Sequence, residues 1–345
     1  MQKFDFHQIP APLLSWYREN KRALPWRENP TPYRVWVSEI MLQQTRVEAV
    51  KEYYLRFMQT LPTVWDLAEC EEEKLLKLWE GLGYYSRVRN MQKAAKIIVS
   101  MYAGEFPRSY EDLTSLPGIG SYTAGAIASI AYGQPVAAVD GNVFRVASRL
   151  EENPTPISDP KYRKYLESTL SAVYPKNGEE CSAFTQSIFE LGALICKPQS
   201  PDCHLCPLKG ICRANQKGTQ GDFPVMPIKK PKRIEEVYVF VIETPSGICI
   251  RRREQGVLRG LNEFPSHVAI EGETPENILN GWGMYEFKEI NRRKYRHIFT
   301  HIRWEMTCIR IRTDSAPFDA YTLDEINEFI SLPTAFRQCM GILQE

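Results

Sequence analysis

Residues 116–146 read LPGIGSYTAGAIASIAYGQPVAAVDGNVFRV, and this stretch decides how the rest of the chain is interpreted. It opens with a turn in which Gly118 and Gly120 lack a Cβ, so the backbone can approach a ligand closely. A small-residue helix follows, and the partial positive charge at a helix start favours an anion. No P-loop lysine follows the glycines, so a nucleic-acid phosphate is a better candidate ligand than a nucleotide. The turn fits an ordinary packing hairpin between two helices equally well.

Two carboxylates stand out on either side of this turn. Asp140 is an isolated acid in the segment VDGNV, and Glu39 lies in residues 32–58, which we predict to form one long helix beginning at Pro32. By pattern alone Glu39 could be a surface glutamate. Gln44 interrupts the apolar stripe of that helix and needs a partner, because burying an unpaired amide costs ~1–3 kcal/mol. It is either a ligand contact or a satisfied core glutamine.

Composition limits the function classes. The chain has 345 residues, of which 43% are hydrophobic and 25% charged, and its net charge is only +1. Nucleic-acid binding would therefore depend on local basic runs, which are also common on ordinary solvated surfaces. No apolar run approaches the ~20 residues of a membrane span, and the N-terminus lacks the apolar core of a secretory signal. We expect a cytoplasmic protein. The basic runs are Lys229–Arg233, Arg251–Arg253 and Arg292–Arg296.

The chain changes character after its first two thirds. Residues 1–215 have mostly helical patterns, including a loop at Trp79–Arg87 whose two tyrosines either meet a base stack or fill the core. Residues 217–235 are rich in Pro, Gly and Lys without periodicity, which predicts a linker. Alternating strands begin at Val237, so residues 236–345 are predicted to form a separate α+β domain.

Four cysteines predict a metal site. Cys196, Cys203, Cys206 and Cys212 fall within seventeen residues with the spacing C-x6-C-x2-C-x5-C. Four thiolates satisfy either structural zinc or an iron–sulfur cluster, and the single C-x2-C knuckle favours the cluster. His204 is a possible competing ligand. Because four cysteines complete the ligand set, we expect a structural site.

Several longer motifs carry a resemblance to a known family. The hairpin, the VDGN segment and the run ELGALIC leading into the cysteines resemble the endonuclease III superfamily of helix–hairpin–helix DNA glycosylases. Within that superfamily, LPWR at 24–27, WVSEIMLQQTRV at 36–47 and WEGLGYYSRVRN at 79–90 resemble the adenine DNA glycosylases, the MutY family. The resemblance covers essentially the whole chain.

The resemblance implies a fold and an activity. The expected fold is a mainly α catalytic region, 1–216, with a six-helix barrel at about 30–135 and a cluster module from 1–29 and 136–216. A Nudix-like α+β domain at 236–345 follows the linker. The implied reaction is hydrolytic removal of adenine mispaired with 8-oxoguanine or guanine in double-stranded DNA, by a monomer of bacterial type that associates with the nucleoid. The four cysteines are implied to hold a [4Fe–4S] cluster.

The resemblance also implies roles for individual residues. Glu39 becomes the acid that protonates adenine, and Asp140 the carboxylate that faces the sugar. Tyr122 and Asn142 are expected to orient Asp140 and the sugar or water. Lyase members of the superfamily have a lysine at the position of Tyr122, so we expect a monofunctional enzyme. The resemblance implies that Trp26, Arg27 and Glu190 form the adenine pocket and that the turn with Gly118 and Gly120 contacts the strand backbone. Leu42, Gln44 and Tyr84 match residues that fill the vacated stack and touch the opposite purine. Thr45 is a further expected DNA contact.

The C-terminal domain is expected to read DNA without hydrolysing a nucleotide. It lacks the Nudix catalytic signature, and the segment NILNGWG at 277–283 supplies no paired carboxylates. The resemblance places the contact with 8-oxoguanine at Phe299, Thr300 and His301, where the family commonly has Phe-Ser-His. A lyase acting on oxidised pyrimidines and a non-enzymatic DNA-binding protein are the rival interpretations. Tyr122 disfavours the first, and the pair of acids, Glu39 and Asp140, disfavours the second.

Overall fold

The computed structural model describes residues 3–227 and 231–344 and divides the chain into two compact units. The N-terminal unit comprises residues 3–69 and 89–227, and the C-terminal unit comprises residues 70–88 and 231–344. Residues 228–230 of the predicted linker, including Lys229 and Lys230 of the first basic run, lie outside the described residues. None of the described helices combines the length and the apolar character needed to cross a membrane.

Residues 3–215 are mostly helical, as predicted for residues 1–215, and the structure assigns no strand to residues 3–227. Many helices begin with a capped first turn: Thr31 accepts from Arg34 N ahead of Pro32, and Asn177 accepts from Glu179 N. A π-helical turn, Ile127–Ala131, continues α8. The helices are α1 (Pro10–Asn20), α2 (Pro32–Leu42), α3 (Val47–Thr60), α4 (Val64–Glu69), α5 (Glu72–Leu78), α6 (Ser86–Tyr102), α7 (Tyr110–Ser115), α8 (Ser121–Ala126), α9 (Gly141–Glu151), α10 (Pro160–Ser171), α11 (Gly178–Leu194) and α12 (Arg213–Lys217).

The single helix predicted for residues 32–58 is wrong. Two helices, α2 and α3, are separated by a turn in which Gln44 has a φ of 60°. A non-glycine residue in the left-handed region ends a right-handed helix. The apolar periodicity resumes in α3 with Val50 and Tyr54, which concealed the break. Gln44 is therefore exposed in a turn and does not lie on a helical stripe.

One core cluster holds together α9, whose first turn is capped by Asp140, and α11, which carries Glu190. α1, α9, α10 and α11 bury large side chains together, among them Leu13, Phe144, Leu166 and Phe184. α9 and α11 approach so closely that a Cβ added at Gly192 would lie 2.7 Å from the Cβ of Asn142. Glycine at this position therefore permits the helix contact.

The C-terminal unit is built on a mixed seven-stranded sheet, which confirms the predicted α+β class. The strand order is β3-β2-β1-β6-β5, with β1 and β6 parallel, while β4 pairs with β1 and β7 pairs with β2. The long strand Lys288–Ile298 pairs antiparallel with β6 and has a register shift between Glu289 and Asn291. The elements are β1 (Arg233–Thr244), β2 (Gly247–Arg252), β3 (Asn262–Glu263), β4 (Ser266–Val268), α13 (Pro275–Gly281), β5 (Lys288–Ile298), β6 (Ile302–Arg312), β7 (Asp319–Tyr321), α14 (Leu323–Glu328) and α15 (Thr334–Arg337).

Helix α5 and the loop that follows it belong to this C-terminal unit. Residues 70–88 make their compact contacts with the sheet domain, although helices of the other unit flank them in sequence. Ser331 donates a hydrogen bond from its buried hydroxyl to Leu76 O at 3.1 Å. The division of the chain at the linker 217–235 stays a prediction. The sequence patterns behind it did not indicate that residues 70–88 belong to the C-terminal unit.

Candidate active site

A cavity of about 600 Å³ in the N-terminal unit is lined by residues of α2, α8, α9 and α11 and by the turn between α2 and α3. Its volume and mixed lining are typical of a small-ligand site. The predicted site residues that line it are Trp26, Arg27, Glu39, Leu42, Gln44, Thr45, Tyr122, Asp140, Asn142 and Glu190.

Glu39 is a buried acid within this cavity, with 5% of its surface exposed. Burial raises its pKa to about 7, since the charged form loses its water. The hydrogen bond from Tyr122 opposes this rise, the negative charge of Asp140 adds to it, and Arg27 opposes it. Glu39 is therefore substantially protonated at neutral pH.

Tyr122 donates a hydrogen bond from its hydroxyl group to Glu39 Oε2. Its expected role in orienting Asp140 and the sugar or water stays a prediction. Burial raises the pKa of the Tyr122 hydroxyl well above its usual range, and the neighbouring Glu39 raises it further. The tyrosine thus remains a neutral donor that orients the carboxyl group of Glu39. Its ring also packs against Phe189, with the ring centroids 5.9 Å apart.

Asp140 caps the N-terminus of α9. Its Oδ1 accepts from Val143 N at 2.8 Å, and its Oδ2 accepts from Asn142 Nδ2 at 2.9 Å. Burial raises the pKa of Asp140, while the hydrogen bonds from Val143 and Asn142 and the charge of Arg145 lower it. Capping alone explains an aspartate here, but its place on the wall beside Glu39 also makes it available to a ligand.

Arg145 fixes the orientation of Asn142, and sequence reasoning missed it. Arg145 Nη2 donates to Asn142 Oδ1 at 2.7 Å, so the amide nitrogen of Asn142 faces Asp140. Arg145 Nε donates to Cys196 O at 2.7 Å. One arginine therefore links the acid wall of the cavity to the first cysteine of the metal-binding segment. The sequence feature that could have indicated this contact is the position of Arg145 three residues after Asn142, on the same face of the helix.

Glu190 forms a buried ion triad with two arginines. Its Oε1 accepts from Arg22 Nε at 2.7 Å and its Oε2 from Arg27 Nη2 at 2.8 Å. Burial raises the pKa of Glu190, but the bonds from the two arginines outweigh it and bring the pKa to about 2. Arg22 was not among the predicted residues. The sequence feature that could have indicated Arg22 is its closeness along the chain to Arg27, across the bend at Leu24-Pro25.

Replacing Glu190 by glutamine is expected to destabilise the protein by about 3–5 kcal/mol, because two partly buried arginines lose their counter-charge. Chemical denaturation at pH 7 measures this. Glu180→Gln is the matched control on the same helix, since its bond to Arg18 joins side chains that are 41% and 64% exposed. That exposed pair should contribute less than about 1 kcal/mol. Equal losses in both variants would contradict a special role for the triad.

The glycine turn lies apart from the cavity lining, and its two glycines differ. Gly118 has a φ of 78°, and an added Cβ would lie 2.8 Å from Asn90 Cβ. Gly120 has an extended backbone with open space where a Cβ would point. The fold therefore explains Gly118, whereas contact of Gly120 with a phosphate backbone stays a prediction.

The four cysteines lie on one loop and close to one another. Burial raises the pKa of Cys206 to about 12, and the charges of the other three cysteines contribute to the rise. Arg149 Nη1 donates to Cys196 Sγ at 3.3 Å, and Gln220 Nε2 donates to Cys203 Sγ at 3.7 Å. Among the described residues, no three metal-binding side chains converge on a single ion. Four thiolates on one loop meet the ligand count of an iron–sulfur cluster, in which each thiolate binds a different iron.

The three residues of the C-terminal unit that we predicted to contact 8-oxoguanine, Phe299, Thr300 and His301, lie at the turn between β5 and β6. Phe299 N donates to Ile302 O at 2.8 Å. The Phe299 ring packs against the Trp304 ring, with the ring centroids 4.8 Å apart. Thr300 and His301 are exposed. The Thr300 Oγ1 lies 3.0 Å from the hydroxyl of Tyr84, so two predicted residues far apart in sequence meet.

Three family models match the chain. Residues 37–171 match the HhH-GPD superfamily of base excision DNA repair proteins, and residues 196–212 match the iron–sulfur binding domain of endonuclease III. Residues 238–341 match the NUDIX domain. The match at residues 196–212 confirms the predicted iron–sulfur site. It is consistent with the [4Fe–4S] cluster that we expected as the cofactor.

Solved structures of similar fold include a thermostable thymine-DNA glycosylase, 26% identical, with a TM-score of 0.55 over 61% of this chain and 97% of that one. A non-covalent endonuclease III–DNA complex is 29% identical, with a TM-score of 0.51 over 62% of this chain and 97% of that one. With the NUDIX match, these likenesses confirm the predicted fold class.

Similar proteins carry the name adenine DNA glycosylase. That of Arabidopsis thaliana is 37% identical over 86% of this chain and 56% of its own length. That of Homo sapiens is 37% identical over 74% of this chain and 56% of its own. This chain thus spans little more than half of those relatives. The protein from Buchnera aphidicola (subsp. Baizongia pistaciae) is 32% identical over 84% of this chain and 82% of its own length. The chain therefore belongs to the adenine DNA glycosylase family.

Proposed function

We propose that the protein is a monofunctional DNA glycosylase that hydrolyses the N-glycosidic bond of adenine mispaired with 8-oxoguanine or guanine in double-stranded DNA. The observation that carries this proposal is Glu39, a buried carboxyl group whose pKa of about 7 leaves a large fraction of it protonated near neutral pH, beside a second acid, Asp140. Two acids in different electrostatic environments are the usual arrangement for glycoside cleavage.

In the proposed reaction each acid has one task. The target adenine is flipped out of the duplex into the cavity, because its glycosidic bond is inaccessible in the base stack. Glu39 donates its proton to a ring nitrogen of adenine, which then accepts the electron pair of the breaking bond. Asp140 faces the positive charge that develops on the sugar, and water completes the hydrolysis.

Other residues of the cavity position the base. Trp26, whose ring lies edge-on to Tyr54 at 5.5 Å, and Phe189 provide aromatic surfaces for a flat purine. The ion triad of Glu190 supplies fixed charges at the wall. The turn residues Leu42, Gln44 and Thr45 are proposed to occupy the space that the flipped base leaves in the stack.

A hydrolytic outcome fits the groups around the reacting sugar. A lyase needs an amine to form a Schiff base. Tyr122 instead offers a hydroxyl group that is bonded to Glu39, and none of the residues lining the described cavity is a lysine. The iron–sulfur cluster, when bound, would cross-link the 196–212 loop; Arg145 and Arg149 hold this loop against α9.

The C-terminal unit is proposed to read the base opposite adenine. The exposed hydroxyl of Thr300 and the ring of His301 offer hydrogen-bonding groups at the tip of a closed hairpin. The segment 277–283 offers no paired carboxylates for a metal, so nucleotide hydrolysis is not part of the proposal.

Base release from defined duplexes tests the function. With enzyme in excess, adenine opposite 8-oxoguanine should be released fastest, adenine opposite guanine more slowly, and adenine opposite thymine not measurably. Borohydride should trap no covalent enzyme–DNA adduct. Strong trapping together with release of an oxidised pyrimidine would support a lyase instead. Binding to every duplex without base release would support a non-enzymatic DNA-binding protein.

A further inference from the structure

An ion pair between Lys77 of α5 and Glu80, two residues beyond the end of that helix, joins α5 to the end of α14. Lys77 Nζ donates to Ile330 O at 2.9 Å and to Ile326 O at 3.3 Å, and it lies 2.7 Å from Glu80 Oε2. Ile326 belongs to the last turn of α14, where backbone carbonyl groups lack helical partners. A cation is favoured at this end of a helix. Lys77 therefore satisfies carbonyl groups that would otherwise be left unpaired.

Glu80 completes the connection. Its Oε1 accepts from Leu332 N at 3.3 Å and lies 3.8 Å from Arg337 Nη1. The side chains of Lys77 and Glu80 are only 20% and 17% exposed. This is not an ordinary surface pair, because both partners also bond the backbone of the segment that follows α14. Removing either charge would leave several polar groups unsatisfied.

Hydrogen bonds to the loop after Glu80 couple the position of Tyr84 to that of Glu80. Trp79 Nε1 donates to Gly83 O at 3.1 Å, and Arg87 Nη2 donates to Leu82 O at 2.9 Å and to Gly83 O at 3.2 Å. The guanidinium of Arg87 also lies 5.6 Å from the centre of the Tyr84 ring. Tyr84 itself has a φ of 47°, a conformation that the surrounding bonds must maintain.

We infer that Lys77 and Glu80 are positioning residues for recognition of the base opposite adenine. They hold α5 against α14, and this places the Tyr84 hydroxyl at hydrogen-bonding distance from Thr300. The inference rests on the proposed function, in which Thr300 reads the opposite base, and on the contact of Tyr84 with the same base that the sequence resemblance implies. Neither Lys77 nor Glu80 needs to touch DNA for this effect.

The test compares Lys77→Met with Lys51→Met. Lys51 forms the same kind of i,i+3 pair with Glu48, but on the exposed side of α3. Lys77→Met should lower the ratio of adenine release opposite 8-oxoguanine to release opposite guanine about fivefold, as for one lost hydrogen bond. Lys51→Met should leave the ratio unchanged, and Lys77→Arg, which retains donors for the carbonyl groups, should restore most of it. In a Thr300→Val background, Lys77→Met should have little further effect on the ratio.

Hydrogen–deuterium exchange without DNA separates this inference from the proposed function. Lys77→Met should increase exchange in peptides covering 79–87 and 326–333, while exchange around Glu39 stays at the wild-type level. Unchanged exchange in 79–87 would overturn the positioning role, whatever the activity. Equal loss of adenine release opposite both bases would also overturn it, because it indicates general destabilisation. Absence of adenine release from the wild type would refute the function, and the exchange data would still decide the positioning.

Discussion

Replacement of Glu39 by glutamine is expected to lower single-turnover adenine release by about 10²–10⁴-fold, the range associated with loss of a general acid. Glutamine has nearly the same shape and can still accept the hydrogen bond from Tyr122, but it has no acidic proton to give to the leaving base. Because burial already disfavours the charged form of Glu39 and raises its pKa to about 7, its replacement by a neutral amide should not destabilise the fold. Thermal denaturation and duplex-binding measurements on the same variant check that fold and binding survive. Near-normal release would refute the role of Glu39.

The pH dependence of the wild type tests the same role independently. Glu39 acts only when protonated, and its pKa is about 7, so the rate of adenine release should be greatest below pH 7 and fall about tenfold per unit at higher pH. The bond from Tyr122 lowers the pKa of Glu39, and in Tyr122→Phe the decline should therefore begin at higher pH. A rate that stays constant from pH 6 to pH 9 would contradict an acid of this pKa.

Local sequence patterns predicted the helical and α+β parts of the chain, but they did not predict the residues at which a helix is interrupted. The apolar stripe of residues 32–58 gave no sign of the break, since periodicity describes which side is buried and not whether one residue is left-handed. The helix breaks at Gln44, whose φ is 60°. The break places Leu42, Gln44 and Thr45 at the cavity, so it matters for the site.

The partners of the candidate acids were harder to predict than the acids themselves. Motif positions nominated Glu39 and Asp140, but Tyr122 bonds the first and not the second. Arg22 and Arg145 were missed because their roles come from contacts with Glu190 and Cys196, which are distant in sequence. The insertion of residues 70–88 into the C-terminal unit has the same cause. Propensity and spacing describe neighbours along the chain, whereas these contacts arise from tertiary packing.

Asp140→Asn should lower adenine release by at least about 10²–10³-fold, the range found when one electrostatic partner of a transition state is removed. Asparagine is as good an N-cap as aspartate, so the bond from Val143 N and the start of α9 should persist. The variant thus separates the two tasks of Asp140, because capping survives while the negative charge facing the sugar is lost. Single-turnover release and duplex binding should therefore diverge, with binding retained.

A matched control strengthens this separation. Asp159 caps α10 by accepting from Lys161 N at 2.7 Å and does not line the cavity, so Asp159→Asn should leave adenine release unchanged. The charge of Asp140 also raises the pKa of Glu39. Any residual activity of Asp140→Asn should therefore decline at a lower pH than that of the wild type. If both capping variants lost activity equally, the effect would come from helix capping. If neither did, Asp140 would have no part in the chemistry, and Glu39 would have to act without a carboxylate facing the sugar.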